Sequence, residues 1–261
     1  MKTKRKLLPV LLAAVLLVAA AAIAVVPGLW RDVSFAWQDH TEAELTVKAF
    51  ADDHGIRYSA YPESLIELLE RNPETEEFVL NYPLREDLEI DLSEYDRTQG
   101  VPLFMQWDQR WGYMEYGSDV VGVTGCGPTC LAMAGYYVTG DEKFSPDLMV
   151  EFALDNGYYA KGSGSSWTLI SEGGVKLGLE VKELPLVKKK ITDNLKAGNP
   201  VICSMRAGDF TTSGHYIVLV GVEDGLFRVN DPNSRENSEK LWSYEQIEGQ
   251  IRNLWAISAR E

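Results

Sequence analysis

Cysteine and histidine are both scarce in this chain of 261 residues, which contains three of each. Three cysteines cannot staple a fold with disulfides, and their odd number leaves at least one thiol unpaired within the chain. Two of the histidines lie within the first 60 residues and one lies after them, and no Cys-x-x-Cys pair occurs. The sequence therefore offers no cluster of metal ligands. The sequence therefore predicts no disulfide scaffold, no metal site and no cofactor.

Basic residues are also few. The chain has 25 Lys and Arg but 39 Asp and Glu, and its net charge is −14. Such a chain repels polyanions, so we do not expect it to bind nucleic acid. No Gly-x-x-x-x-Gly-Lys-Ser/Thr string occurs, and the sequence therefore does not resemble a nucleotide-binding cassette. What the chain has is globular composition, with 45% apolar residues and enough length for one or two cored domains.

The N-terminus has the pattern of a membrane or export signal. Residues 1–6 include four basic side chains, and residues 7–26 form an uncharged run of 20 residues. A run of that length can cross about 30 Å of hydrocarbon, and a basic flank before it stays cytoplasmic. We predict a cytoplasmic tail over 1–6 and a transmembrane anchor over 7–26, with the rest of the chain outside the cell. A cleaved signal peptide, cut near Ala22 to yield a secreted protein, and a buried core helix are the alternatives.

Charge divides the remaining residues into two parts. Residues 31–100 carry 18 acidic and 6 basic side chains, whereas residues 101–261 carry 21 and 15. We therefore predict an acidic leader over 27–100 and a main domain over 101–261, joined near Arg97 to Gly100. The leader is expected to hold short helices, one of them over Ser64 to Asn72. We interpret it as a solvated stalk with a helical clip, and a regulatory or partner-binding segment is the alternative.

The main domain has the hydrophobic patterns of an α+β fold. Apolar residues at helical spacing, followed by glycine, predict helices over 130–138, 146–156, 167–176 and 188–196. Apolar and β-branched runs predict strands over 179–184, 200–205, 215–222, 226–230 and 253–258. Because helices come before strands, this order favours an antiparallel sheet with helices on one side.

Cys126 is the candidate nucleophile. It lies in the segment Gly125-Cys126-Gly127-Pro128-Thr129, where proline suits the first turn of a helix and glycine allows close backbone approach. Free backbone N–H groups and the positive end of the helix dipole stabilise a thiolate at such a position, and the thiolate is the reactive form. The N–H of Cys126 would also face the oxygen of an attacked carbonyl group. Cys130 and Cys203 lie in apolar runs and are predicted to be inert core residues.

His215 is the candidate general base because it is the one histidine of the main domain and opens an apolar strand. An imidazole there can take the proton of the thiol and later return it to a leaving amine. If the following hairpin has a three-residue loop, Asp231 shares the face of His215. A two-residue turn at Asp224-Gly225 brings Asn230 to that face instead. The sequence leaves both registers open, and either side chain can orient an imidazole in sites of this kind.

Four motifs, in their order along the chain, resemble the C39-like branch of the papain-fold cysteine peptidases of bacteria. They are Gln106 to Trp111, Gly125 to Thr129, Gly214-His215 and Asn230-Asp231-Pro232. The resemblance covers about Val101 to Ser258, and the leader is similar to that of exported members. It implies a papain-like α+β fold in which an N-terminal helical half carries the cysteine and a C-terminal antiparallel sheet carries the histidine and the aspartate.

The resemblance also implies the site. It assigns a nucleophile, a general base, an orienting acid and the side-chain amide of an oxyanion hole to Cys126, His215, Asp231 and Gln106, respectively. Apart from the resemblance, the residues expected to wall a substrate groove are Trp167, Gly125 and Gly214. The alternative for Trp167 is a half-buried indole in a loop that caps a helix.

We expect an exported thiol-dependent peptidase that hydrolyses an amide bond of a peptide or protein through an acyl-enzyme on Cys126. Two alternatives stay open, namely acyl transfer to an amine on the same scaffold and a catalytically idle peptide-binding module. The sequence gives no indication of the natural substrate or of the oligomeric state.

Overall fold

The computed structural model describes residues 28–35, 39–162 and 164–260. The chain divides into two compact units, Met1–Pro83 and Leu84–Glu261. The predicted basic tail and the predicted membrane segment over 7–26 lie outside the described residues. Across the described ranges, no helix is both long enough and apolar enough to span a bilayer.

The described part of the first unit is helical. It contains α1 (Leu29–Ser34), α2 (Glu42–Asp53), α3 (Glu63–Arg71) and α4 (Glu76–Asn81), with 3₁₀ turns at Tyr58–Ala60, Pro73–Thr75 and Tyr82–Leu84. Thr41 caps α2, because its hydroxyl accepts the N–H of Glu44 while the Glu44 carboxylate accepts the N–H of Thr41. Helix α3 is the amphipathic helix predicted over 64–72, and its apolar stripe is buried where it packs against α2 and α4.

Among the described residues of the second unit, two short β-ribbons precede a larger sheet. The ribbons pair β1 (Glu115–Tyr116) with β2 (Asp119–Val120) and β3 (Tyr159–Ala160) with β4 (Gly164–Ser165). The strands of the larger sheet are β5 (Leu179–Glu183), β6 (Val201–Gly208), β7 (Thr211–Glu223), β8 (Leu226–Asn230), β9 (Leu241–Trp242) and β10 (Ile251–Ala259). Their spatial order is β5-β10-β6-β7-β8-β9, and every neighbouring pair is antiparallel, as predicted.

The helices of the second unit are unevenly distributed along the chain. They are α5 (Val121–Thr124), α6 (Cys126–Thr139), α7 (Pro146–Asp155), α8 (Gly174–Lys176), α9 (Lys188–Lys196), α10 (Arg235–Glu239) and α11 (Tyr244–Ile247). A π-helical turn at Leu169–Gly173 runs into α8, and 3₁₀ turns occur at Arg97–Gln99, Glu142–Phe144 and Glu248–Gln250. The predicted helices and strands therefore all have counterparts. Helix α6 extends the helix predicted over 130–138 back to Cys126, where the glycine and proline pattern predicts a helix start, and a π-helical turn replaces part of the helix predicted over 167–176.

The prediction that helices cover one side of the sheet is wrong. Helix α6 packs with Tyr216 and Val218 of β7 in one apolar cluster. Helix α9 packs with Ile217 and Leu219, the alternating residues of the same strand, in a second cluster. Because successive side chains of a strand point to opposite faces, the sheet has a core on each face. Because β7 is apolar on both faces, each face of the strand must be shielded from water by other elements.

Candidate active site

Cys126 is the first residue of α6, as the sequence predicts, and Gly125 is the N-cap of that helix. A Cβ atom on Gly125 would lie 2.4 Å from Cγ1 of Val121 and 2.7 Å from its carbonyl oxygen. No larger residue therefore fits where the chain passes from α5 into α6. Cys126 is partly exposed. The first turn of a helix leaves backbone N–H groups without partners inside the helix, and Cys126 lies in that turn.

The other two cysteines are core residues, as their apolar surroundings predict. Cys130 and Cys203 are fully buried. Burial raises the pKa of both thiols, and at Cys130 the negative charge of Cys126 raises the pKa further. Both side chains therefore stay protonated and unreactive at neutral pH.

The turn between β7 and β8 has two residues. Asp224 and Gly225 both have positive φ, 49° and 81°, which is the geometry that joins two strands most tightly. A regular antiparallel ladder leaving this turn would bring Asn230 to the face of His215. The turn alone would therefore favour Asn230 as the orienting residue.

A β-bulge in β7 reverses that outcome. The strand holds one extra residue, Val220, and beyond it Val218 pairs with Asn230. The shift by one residue moves Asp231 onto the face of His215. Asn230 points to the other face, where its side-chain amide donates to the carbonyl oxygens of residues 101 and 102 at 3.1 and 3.0 Å. The structure thus brings Asp231 to His215 and keeps the alternative, Asn230, away from it.

His215 and Asp231 form a buried hydrogen-bonded pair. The distance from Nε2 of His215 to Oδ1 of Asp231 is 2.7 Å, and the two residues are 9% and 1% exposed. The carboxylate accepts, so Nε2 donates. The other ring nitrogen, Nδ1, is then the one available to the side chain of Cys126, whose interaction with the ring contributes to the raised pKa of His215.

Opposing effects determine the pKa of His215. Burial lowers the pKa, but the charge of Asp231 and the hydrogen bond to it raise the pKa, as do the hydrogen bond and the charge of Cys126. The net result raises the pKa of His215 to about 10. The ring therefore carries its proton at neutral pH.

Gln106 is buried, with 3% of its surface exposed. Its Nε2 donates to the carbonyl oxygen of Gly122 at 2.8 Å. A carbonyl oxygen can only accept, so this contact fixes which end of the amide faces Gly122. One of the two amide hydrogens is used there and the other is left for a further acceptor. The oxygen Oε1 has no hydrogen-bond partner among the described residues.

The expected groove residues differ in exposure. The Trp167 indole is 45% exposed, yet it is fixed by a hydrogen bond from Nε1 to Oγ of Ser204 at 3.0 Å and by an edge contact with Trp255. Gly214 is exposed, and a Cβ atom there would meet only one backbone oxygen, 3.9 Å away. An anchored indole and an open position next to His215 suit a substrate groove, which stays a prediction for these residues.

Two residues outside the predicted set contact Asp231 or the segment that follows it. The indole N–H of Trp107 donates to the carbonyl oxygen of Asn233 at 3.0 Å. The side-chain amide of Asn237 donates to Oδ2 of Asp231 at 2.9 Å. Trp107 belongs to the motif of residues 106–111 and could have been assigned from it. Asn237 belongs to no motif, and only the fold brings it to the carboxylate.

A family model described as the Peptidase_C39 like family matches residues 98–260. No curated protein matches the chain. Among solved structures, the peptidase domain of Streptococcus ComA, a bi-functional ABC transporter involved in a quorum-sensing pathway, is 20% identical over 52% of this chain and 93% of that domain, with a TM-score of 0.41.

Two further solved structures are similar at the same level. The peptidase domain of Streptococcus mutans ComA, in complex with a small-molecule inhibitor, is 16% identical over 60% of this chain and 98% of that one, with a TM-score of 0.38. A protein described as a C39-like peptidase from Bacillus anthracis is 17% identical over 62% and 96%, also with a TM-score of 0.38. The family model covers more than half of the chain, and the chain therefore belongs to the Peptidase_C39 like family.

Proposed function

We propose that this chain is a cysteine peptidase that cleaves an amide bond of a peptide or protein through Cys126. Family membership supports the class of enzyme. The observation that carries the assignment of residues is the buried hydrogen bond between His215 and Asp231, next to a cysteine at a helix N-terminus. A protonated ring beside that cysteine supplies both an activated nucleophile and an acid for the leaving group.

The first step forms the acyl-enzyme. The thiolate of Cys126 attacks the carbonyl carbon of the substrate, a C–S bond forms, and the carbonyl oxygen takes the negative charge. The backbone N–H of Cys126 and the second amide hydrogen of Gln106 are the proposed donors to that oxygen, and losing one such donor typically slows a reaction about 10²- to 10³-fold. His215 then gives its proton to the nitrogen as the C–N bond breaks, and the amine leaves.

The second step restores the enzyme. The neutral imidazole of His215 removes a proton from water, and the water oxygen attacks the thioester carbon. The C–S bond breaks, the acid product leaves, and Cys126 returns to the thiolate while His215 keeps the proton. Throughout both steps, Asp231 holds the ring with Nδ1 towards the sulfur and stabilises its positive charge.

Acyl transfer would use the same acyl-enzyme with an amine in place of water, and a binding module would form no acyl-enzyme at all. An analysis of the reaction products with and without added amines distinguishes these two alternatives from hydrolysis. A new amide product that depends on the added amine would assign transfer, and binding without any cleavage or transfer would overturn the enzyme assignment.

Replacing the nucleophile tests the assignment. Cys126→Ala is expected to lower cleavage of a peptide library at least about 10³-fold while the circular dichroism spectrum stays unchanged. The matched control is Cys203→Ala, which removes a cysteine buried away from solvent and is expected to keep turnover. A purified Cys126→Ala sample that cleaves at the wild-type rate would refute the proposal.

The pH dependence tests the pairing of His215 with Asp231. In the wild type the active protonated ring persists until its pKa of about 10, so kcat/KM should fall only at alkaline pH. Asp231→Asn removes the charge that raises this pKa, so the alkaline limb is expected to move to lower pH by about 1 to 3 units. Asp224→Asn, the same chemical change at the exposed hairpin turn, is the control and should leave the profile in place. An unmoved limb in Asp231→Asn would contradict the pairing.

We also propose that the peptidase acts outside the cytoplasm, anchored through residues 7–26. The support is the basic and apolar pattern of the sequence in residues 1–26. In bacteria expressing the full chain with a C-terminal tag, the tag is expected in the membrane fraction and open to added protease in intact cells. An intact mass that lacks the first residues would indicate a cleaved signal, and a tag found only in the cytosol would contradict export.

A further inference from the structure

The carboxylate of Asp231 is held through both of its oxygens. Oδ1 accepts from Nε2 of His215 at 2.7 Å and from the backbone N–H of Asn233 at 2.9 Å. Oδ2 accepts from Nδ2 of Asn237 at 2.9 Å. Because Asp231 is 1% exposed, bulk water does not replace a donor that is lost from this carboxylate.

The backbone of Asn237 is itself fixed by its surroundings. Its backbone N–H donates to Oγ of Ser234, the N-cap of α10, at 3.1 Å, and its carbonyl oxygen accepts from the indole N–H of Trp242 at 3.0 Å. One residue further, Oγ of Ser238 accepts the backbone N–H of Asp231 at 2.9 Å. Helix α10 is therefore tied back to Asp231, and the amide of Asn237 reaches Oδ2 from a fixed position.

A carboxylate turns readily about its Cβ–Cγ bond, since that torsion has a broad minimum. The donor at Oδ2 and the backbone donor at Oδ1 together fix the plane of the group, and this plane determines whether Oδ1 faces Nε2 of His215. A ring that is well paired at Nε2 presents Nδ1 to Cys126. A wrong orientation of the carboxylate plane would therefore also misorient the imidazole ring of His215.

We propose that Asn237 is a positioning residue for the pair of His215 and Asp231. Its side-chain amide fixes the plane of the Asp231 carboxylate and, through it, the orientation and charge of the imidazole beside Cys126. The effect on turnover rests on the function proposed above, whereas the effect on the ring itself does not.

Asn237→Ala in the full chain tests this role by two readouts. The first is kcat/KM for peptide cleavage, which is expected to fall about tenfold or more with most of the change in kcat, because a hydrogen bond to a charged group is lost. The second is the ring titration of His215 by NMR, which is expected to move to lower pH as the carboxylate loses its alignment. The chain has three histidines, so the His215 signal can be assigned by its loss in His215→Gln. Asn237→Gln keeps an amide donor and should recover part of both losses.

Two controls separate positioning from general damage to the fold. Glu239→Ala lies on the same helix with an exposed side chain and should change neither readout. If Asn237→Ala does not give a cooperative unfolding transition, Asn237→Leu preserves the side-chain volume without the donor and is measured instead. A folded variant in which the His215 titration stays at the wild-type pH would overturn the proposal. A wild type without peptidase activity, combined with a shifted titration in Asn237→Ala, would refute the proposed function and support the positioning role.

Discussion

The structure of the site depends on one buried hydrogen bond, from Nε2 of His215 to Oδ1 of Asp231. It couples the charge of a carboxylate to a ring that burial alone would make less basic, and the ring stays protonated as a result. The bond exists because of a single extra residue, Val220, in β7. Without that bulge, the two-residue turn would offer the neutral amide of Asn230, which cannot stabilise a positive ring in the same way.

The segment after Asp231 connects the parts of the site. The backbone N–H of Gln106 donates to the carbonyl oxygen of Pro232 at 2.7 Å, and Trp107 donates to that of Asn233. The side-chain amide of Asn237, in α10, donates to the carboxylate of Asp231. The proposed oxyanion donor and the proposed orienting acid are therefore attached to the same short stretch of chain, so a displacement of this stretch would disturb both.

The sequence was sufficient for the parts of the site that local rules govern. Glycine and proline around Cys126 predict a helix start, and the apolar strand opened by His215 predicts a position within the sheet. The sequence could not decide between Asp231 and Asn230, because no residue type marks Val220 as a bulge and a shift of one residue exchanges the faces. The sequence does not identify Asn237, because no motif contains it. Its contact with Asp231 forms only where α10 folds back towards that carboxylate. The sequence itself argues against a one-sided sheet, since Ile217, Val218 and Leu219 are consecutive apolar residues that face both sides of the sheet.

The central claim is that Cys126 is the reactive thiol of the site and that His215 activates it. Alkylation by iodoacetamide, with the modified residue mapped by mass spectrometry, measures this most directly. The account predicts that Cys126 is modified before the other two cysteines and, at pH 7, faster than free cysteine. It also predicts a slower reaction at pH 7 in His215→Gln. A wild-type rate at pH 7 that is no higher than that of free cysteine, and is unchanged in His215→Gln, would contradict the account.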